Sequence, residues 1–211
     1  SVAQIKRAFS LIRLYGFKIH SHLMVNLLGA TPEADKQDFK TFVTDPGFLP
    51  DEIKLYPCAL VSGTQLVQKY REGAWQPYAK DELVDVLVQD VLNTPPYVRI
   101  SRMIRDISAT DILVGNKHTN LRQMVEQELA AEDVASRVQE IRFREINQQQ
   151  VRAAELTLQD FTYTTAVSDE HFLQWVTADN KIAGFCRLSL PHWDKLTAGT
   201  CDVTANELLV Q

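Results

Sequence analysis

Cysteine is scarce in this sequence and badly placed for most of what cysteine does. The three residues, Cys58, Cys186 and Cys201, lie far apart. That spacing excludes a C-x-x-C metal pair and a disulfide framework, and it fits a reducing, cytoplasmic setting. Long apolar runs are missing too. No stretch reaches the roughly 18 residues of a membrane-spanning helix, so no membrane span is expected. The first residues, SVAQIKRAFSLIRLYGF, are amphipathic and broken by Lys6, Arg7 and Arg13, which reads against a signal peptide. After Val151 only Gly184 and Gly199 remain, so no glycine-rich turn stands there to aim backbone amides at a phosphate. A net charge of −5 argues against a chain that coats itself in nucleic acid. Internal repeats and low-complexity tracts are absent.

What is present reads first as strand–helix units. Val2, Ile5, Phe9 and Ile12 recur at helical spacing, with Gly16 as a stop. FKIHSHLMV reads as a strand. A helix follows, with Thr31 as its cap, Pro32 at its first position, and Glu33 and Asp35 suited to its dipole. IKLYP is a second strand, and a short helix is expected after Gly63 and Thr64. KDELVDVLVQDVLN is a strong helix, with Leu83, Val84, Leu87, Val88, Val91 and Leu92 in register. PPYVRISRM restarts an extended segment. Thr119 is placed to cap another helix, and VQEIRFREI reads as a fourth strand. This order predicts a mostly parallel sheet with right-handed crossovers. Its ligand site should lie beyond the carboxyl ends of the strands, near Lys54, Tyr56, residues 57–64 and the loop 103–118.

After Val151 the texture changes. ELTLQDFTYTTAV, HFLQWVTA and KIAGFCRLSL read as antiparallel strands, with Asp179 and Asn180 turning the last pair. The boundary falls in NQQQVR, giving units 1–147 and 148–211. At about 60 residues the second unit is marginal on its own.

Two sets of side chains are candidates for function. A strand alternates its side chains, so Lys54 and Tyr56 point one way while Ile53 and Leu55 point the other. The pair either lines a site or is a snorkelling lysine beside a rim tyrosine. The second set is basic: Arg99, Arg102 and Arg105, then Asn120 and Arg122 at a helix start, then Arg142 and Arg144. On a strand, Arg142 and Arg144 would share one side of Phe143. This set reads either as a track for an RNA backbone or as ion pairs with neighbouring acids. His20 and His22 share a strand face, but no third ligand of metal-site spacing accompanies them.

In order, GFKIHSHLM, PDEIKLYP, PPYVRISRMIRDI, NLRQ and IRFREI resemble the catalytic subunit of Elongator, the elongator complex protein 3 family. The resemblance is collinear from about Ala3 to Leu190. PPYVRISRMIRDI followed by NLRQ argues against other radical enzymes of the barrel class. The resemblance implies an α/β fold: the C-terminal part of a partial (β/α) barrel of radical S-adenosylmethionine type, then an incomplete antiparallel α+β segment like a GNAT acetyltransferase.

The family's activity, so implied, is carboxymethylation of the wobble uridine of tRNA. It uses a 4Fe–4S cluster, S-adenosylmethionine and acetyl-CoA. Lys54 and Tyr56 would then face the reaction chamber, and Arg99, Arg102, Arg105, Asn120, Arg122, Arg142 and Arg144 would meet tRNA. The family's cluster needs three thiolates. Only Cys58 precedes the boundary, so this chain is expected to hold no cluster. Val138, Glu140 and Phe143 match positions where many relatives carry metal-binding cysteines, so no zinc is expected. MVNLLG replaces the family's M-P-G-L-P-G turn, and Cys58 stands where the family has threonine. The chain alone is thus expected to be inactive, with tRNA, other parts of the same enzyme or Elongator-like subunits as partners. The alternative is a non-enzymatic module that keeps the fold to bind tRNA or protein.

Overall fold

The computed structural model describes residues 1–104, 107–108, 110–116, 120–130 and 132–195. Arg105 and Thr119 lie outside them. Helix α1 spans Val2–Leu14. The Ser1 hydroxyl accepts from Gln4 N, and the helix ends at Gly16, whose φ of 73° favours a residue without Cβ. Val2, Ile5 and Ile12 face outward, while Arg13 and Leu14 are buried. Strand β1 is His20–Val25 and helix α2 Pro32–Thr44. As the sequence predicts, the Thr31 hydroxyl accepts from Ala34 N (3.2 Å) and Pro32 opens the helix, where its missing N–H costs nothing. Strand β2 follows at Glu52–Pro57, then β3 (Leu60–Val61), α3 (Leu66–Arg71) and α4 (Lys80–Asn93). Strands β4 (Arg99–Arg102) and β5 (Ile112–Val114) lead to α5 (Leu121–Leu129) and the short α6 (Glu132–Ala135). Helix α5 starts at Asn120, whose side chain makes no capping bond.

Strands β1, β2 and β4 form a parallel sheet in that order. Their alternation sorts the chain into two faces. Val25, Ile53, Leu55 and Ile100 point into one core with Phe39 and Val43 of α2, Val86, Leu87 and Val91 of α4, and Val125 and Leu129 of α5. Burying such side chains contributes roughly 1.5–3 kcal/mol each before entropy, which fixes the register, because a one-residue slip would turn them outward. Helix α4 also buries Val86 and, unexpectedly, Asp90. Strands β3 and β5 pair antiparallel beyond the end of β2. Gly115 (φ 119°) permits that approach, since a Cβ there would meet the backbone of Ala59 at 3.3 Å. No helix among the described residues is long and apolar enough to cross a membrane.

VQEIRFREI is not a strand. Ile141–Arg144 forms a single helical turn, α7, capped by the buried carboxylate of Glu140. Glu140 accepts from Ile100 N (2.6 Å) and Phe143 N (2.8 Å), so a side chain satisfies amides that a ladder would otherwise claim. Burial raises the Glu140 pKa against the pull of Arg122 and these amides. One consequence corrects the reading of the arginines. Arg142 is exposed and Arg144 buried, so they do not share a side.

The remaining strands, β6 (Thr157–Thr164), β7 (Ser168–Val176) and β8 (Ile182–Pro191), form an antiparallel sheet, and the three-residue helix α8 (Trp193–Lys195) follows. The expected turn between β7 and β8 is present, with Asn180 at φ 63°. Glu170, Phe172, Gln174 and Val176 of β7 face inward, and Phe172, Val176 and Ile182 join the core of the parallel sheet.

Candidate functional site

The second face of the parallel sheet is polar. In register, His20 stands beside Glu52, His22 beside Lys54 and Met24 beside Tyr56. Glu52 in turn adjoins Arg99, and Lys54 adjoins Arg102 after a register shift between Ile53 and Lys54. Lys54 and Tyr56 therefore share a strand face, as the alternation predicts.

The polar groups at the start of this face are engaged. Lys18 bonds to Glu52, and His20 lies 3.6 Å from the same carboxylate. Burial lowers the His20 pKa, opposed by Glu52 and aided by Lys54 and His22. Glu52 is held below the usual carboxylate range: burial pulls it up, but Lys18 and Ser101 outweigh that.

Further along, the pattern inverts. The side chains of His22, Lys54 and Tyr56 make no hydrogen bond or ion pair among the described residues. The His22 ring meets the edge of Tyr56 at 5.9 Å. Lys54 is half-buried and Tyr56 is 8% exposed. An ammonium, a phenol and an imidazole thus stand together with their bonding capacity unspent, able to hold an anion and to donate to a carbonyl. A cleft of about 540 Å³ opens at the edge strand β1 toward α2, lined by His22, Met24, Leu28, Asp35, Phe39 and Asp90 among others, and of the three only His22 borders it. By sequence His22 stands out only as half of a His20–His22 pair that lacks a third metal ligand. Its two-residue spacing from His20 was the available signal. No three His, Cys, Asp or Glu side chains among the described residues gather as a metal site.

Most of the basic set is committed to the protein itself. Arg99 pairs with Glu145. Arg122 binds Glu126 (2.7 Å) and the carbonyl of Ile100 (2.8 Å). Arg144 donates to the carbonyls of Gln139 (2.9 Å) and Pro96 (3.0 Å) and to Asn180 Oδ1 (3.0 Å). Burial lowers its pKa to about 10. Arg142 is exposed, though it donates to the carbonyl of Ser101 (2.7 Å). Arg102 and Asn120 are exposed as well.

With this geometry in place, likeness to known proteins can be stated. Residues 50–131 match the Radical_SAM C-terminal domain. The tRNA uridine(34) acetyltransferase of Dehalococcoides mccartyi (strain CBDB1) is 37% identical over 193 residues, covering 90% of this chain and 41% of that protein. Elongator complex protein 3 of Homo sapiens is 30% identical over 193 residues, covering 89% of this chain and 35% of that protein. The solved archaeal Methanocaldococcus infernus Elp3 with N-terminus deletion (1-46) superposes with a TM-score of 0.83 at 31% identity, covering 90% of this chain and 46% of that one. The chain thus spans less than half the length of these relatives.

Proposed function

The chain belongs to the Elongator complex protein 3 family, and from that premise we propose that it is part of an enzyme that modifies wobble uridine 34 of tRNA. In this reading residues 1–147 are the end of a partial radical S-adenosylmethionine barrel and residues 148–211 begin a GNAT-like domain, acting in the cytoplasm. The reaction is carboxymethylation of the base with S-adenosylmethionine and acetyl-CoA, and other Elongator-like subunits are partners. What supports it is the unspent trio His22, Lys54 and Tyr56 on the polar sheet face.

The residues present do not fit the iron–sulfur cluster. Three thiolates must converge to hold it. Cys58 follows β2 and Cys186 lies on β8 of the other sheet. Nor does the segment after Val151 supply a glycine-rich turn for acetyl-CoA. Alone, the chain is therefore inactive in this reading, and its own residues bind and orient. The Lys54 ammonium holds a phosphate or carboxylate at the mouth. The Tyr56 hydroxyl donates to a base that has left its stack, and its ring supports that base. Arg102 and Arg142, both exposed, take the tRNA backbone, while the other arginines hold the surface that presents them.

The test is made in the longer enzyme containing this chain. Lys54→Ala and Tyr56→Phe should cut uridine-34 modification, read by mass spectrometry, while tRNA affinity stays near parental. Near-parental modification in both variants would make the pair structural and favour a binding module that only keeps the fold.

A further inference from the structure

Strand β2 begins at a buried crossroads. Asp51, 0% exposed, precedes it directly. Its carboxylate accepts both oxygens' worth of contact from Arg13 Nη1 (2.9 Å each), and Oδ2 also accepts from Ile19 N (2.7 Å). Its carbonyl accepts from Arg99 N (3.1 Å) at the start of β4. Two residues of the antiparallel sheet reach this cluster: Glu170 of β7 lies 3.9 Å from Arg13, and Arg187 of β8 meets Asp51 itself. Arg187 of β8 donates Nη1 to Asp51 Oδ1 (3.0 Å) and Nη2 to the carbonyl of Tyr97, just ahead of β4. The Arg187 guanidinium lies 5.0 Å over the Phe172 ring and 5.6 Å from Phe185. It is thus clamped from its own sheet while its fork spans the entries of two parallel strands.

The register of β2 against β4 shifts between Ile53 and Lys54, immediately downstream of that clamp. Lys54 has no counter-ion, so no side-chain partner among the described residues holds it in place. Its position is inherited from the backbone of β2. We propose that Arg187 is a positioning residue for the Lys54–Tyr56 site. By bridging Asp51 and Tyr97 it fixes how β2 and β4 enter the sheet, so the antiparallel sheet sets where the free side chains of the parallel sheet stand. Beside the core the two sheets share, this planar fork ties the antiparallel sheet directly to the entries of β2 and β4, and a change in the second sheet is felt at the Lys54–Tyr56 end of the first.

This inference rests on the reading of that face as the working site, but its test needs neither tRNA nor cofactor. A failure would fall on the coupling and leave the modification reading standing. The lysines of the chain are carbon-13 dimethylated, the Lys54 signal is assigned with Lys54→Arg, and spectra are compared at one pH beside urea unfolding. Arg187→Met removes charge and fork. Arg187→Lys keeps the charge but cannot span both acceptors. Because Arg13 remains on Asp51 in each, the acid keeps a counter-ion; should the methionine variant still fail to fold, the lysine variant carries the test. Val125→Ala, in the core of α5, is the control for destabilisation alone. Both Arg187 variants should move the Lys54 signal by more than a linewidth and weaken the His22–Tyr56 ring contact, while Val125→Ala lowers the unfolding midpoint and leaves Lys54 in place. A Lys54 signal unmoved in the Arg187 variants, or moved equally in Val125→Ala, overturns the proposal.

Discussion

The two ends of strand β2 are built on opposite principles. At its entry, Asp51 is sealed from water and its carboxylate is filled by two guanidinium groups and an amide. At its exit, Lys54 and Tyr56 hold bonding capacity that nothing in the described chain uses. Buried polar groups are normally satisfied. At the other end the amine and the phenol reach the surface with no protein side chain to bond, which leaves that end available to something else that binds. The arginines divide in the same way. Arg13, Arg144 and Arg187 are spent on the fold, whereas Arg142 stands in water.

The strongest way to break this contrast is at the entry. Asp51→Ala leaves the buried Arg13 with only the more distant Glu170 (3.9 Å) and the half-buried Arg187 without its acid, and stability should fall by about 3–5 kcal/mol in urea unfolding. Domains hold only about 5–15 kcal/mol in total, so a loss below 1 kcal/mol would show that the network is ornamental. Arg144→Ala should follow at about 3 kcal/mol, since a buried guanidinium and its three part-buried acceptors lose their bonds, while Arg142→Ala stays within about 0.5 kcal/mol. Equal losses at the two positions would contradict the helical turn that separates them.

Asp90 sharpens the contrast from within the core. It is as hidden as Asp51, at 1% exposure, but neither carboxylate oxygen has a partner among the described residues. Burial first, and the nearby Asp35 second, push its pKa up to about 8. The unfolded chain releases that proton near pH 4, the folded chain only near pH 8. Between those limits the folded state holds the extra proton, so its stability is greatest below about pH 4 and falls as pH rises toward 8, by at most about 1.4 kcal/mol per unit. Asp90→Asn should flatten that slope and gain on the order of 2 kcal/mol at pH 8, with no gain at pH 4. Parallel pH–stability curves for parent and variant would contradict the burial of an unpartnered acid.

Sequence carried the locally determined parts of this molecule. The Thr31 cap, the Gly16 stop, the Asp179–Asn180 turn and the two-residue period of IKLYP each follow from neighbours along the chain, and each is present. The segment IRFRE misled because its alternation imitates a strand, while its conformation is set by Glu140 reaching Ile100, 40 residues away. Asp90 was half legible: it falls seven residues after Leu83, on the buried stripe of α4. Of the site, Lys54 and Tyr56 could be paired by alternation alone. That the pair is free, and that Asp51 is not, depends on partners from α1, β8 and the strand entries, which no local pattern contains.

The smallest expected change comes from the exit, where Lys54→Met and Tyr56→Phe should each leave stability within about 0.5 kcal/mol of the parent. The central claim is that this end of β2 is kept free for a ligand, and lysine-by-lysine chemical labelling of the chain with and without saturating tRNA tests it most directly. Lys181, whose amine already donates to the carbonyl of Phe143, serves as reference. The account predicts that Lys54 labels readily in the free chain and is protected when tRNA is bound, while Lys181 changes little. Equal labelling of Lys54 in both samples would contradict it.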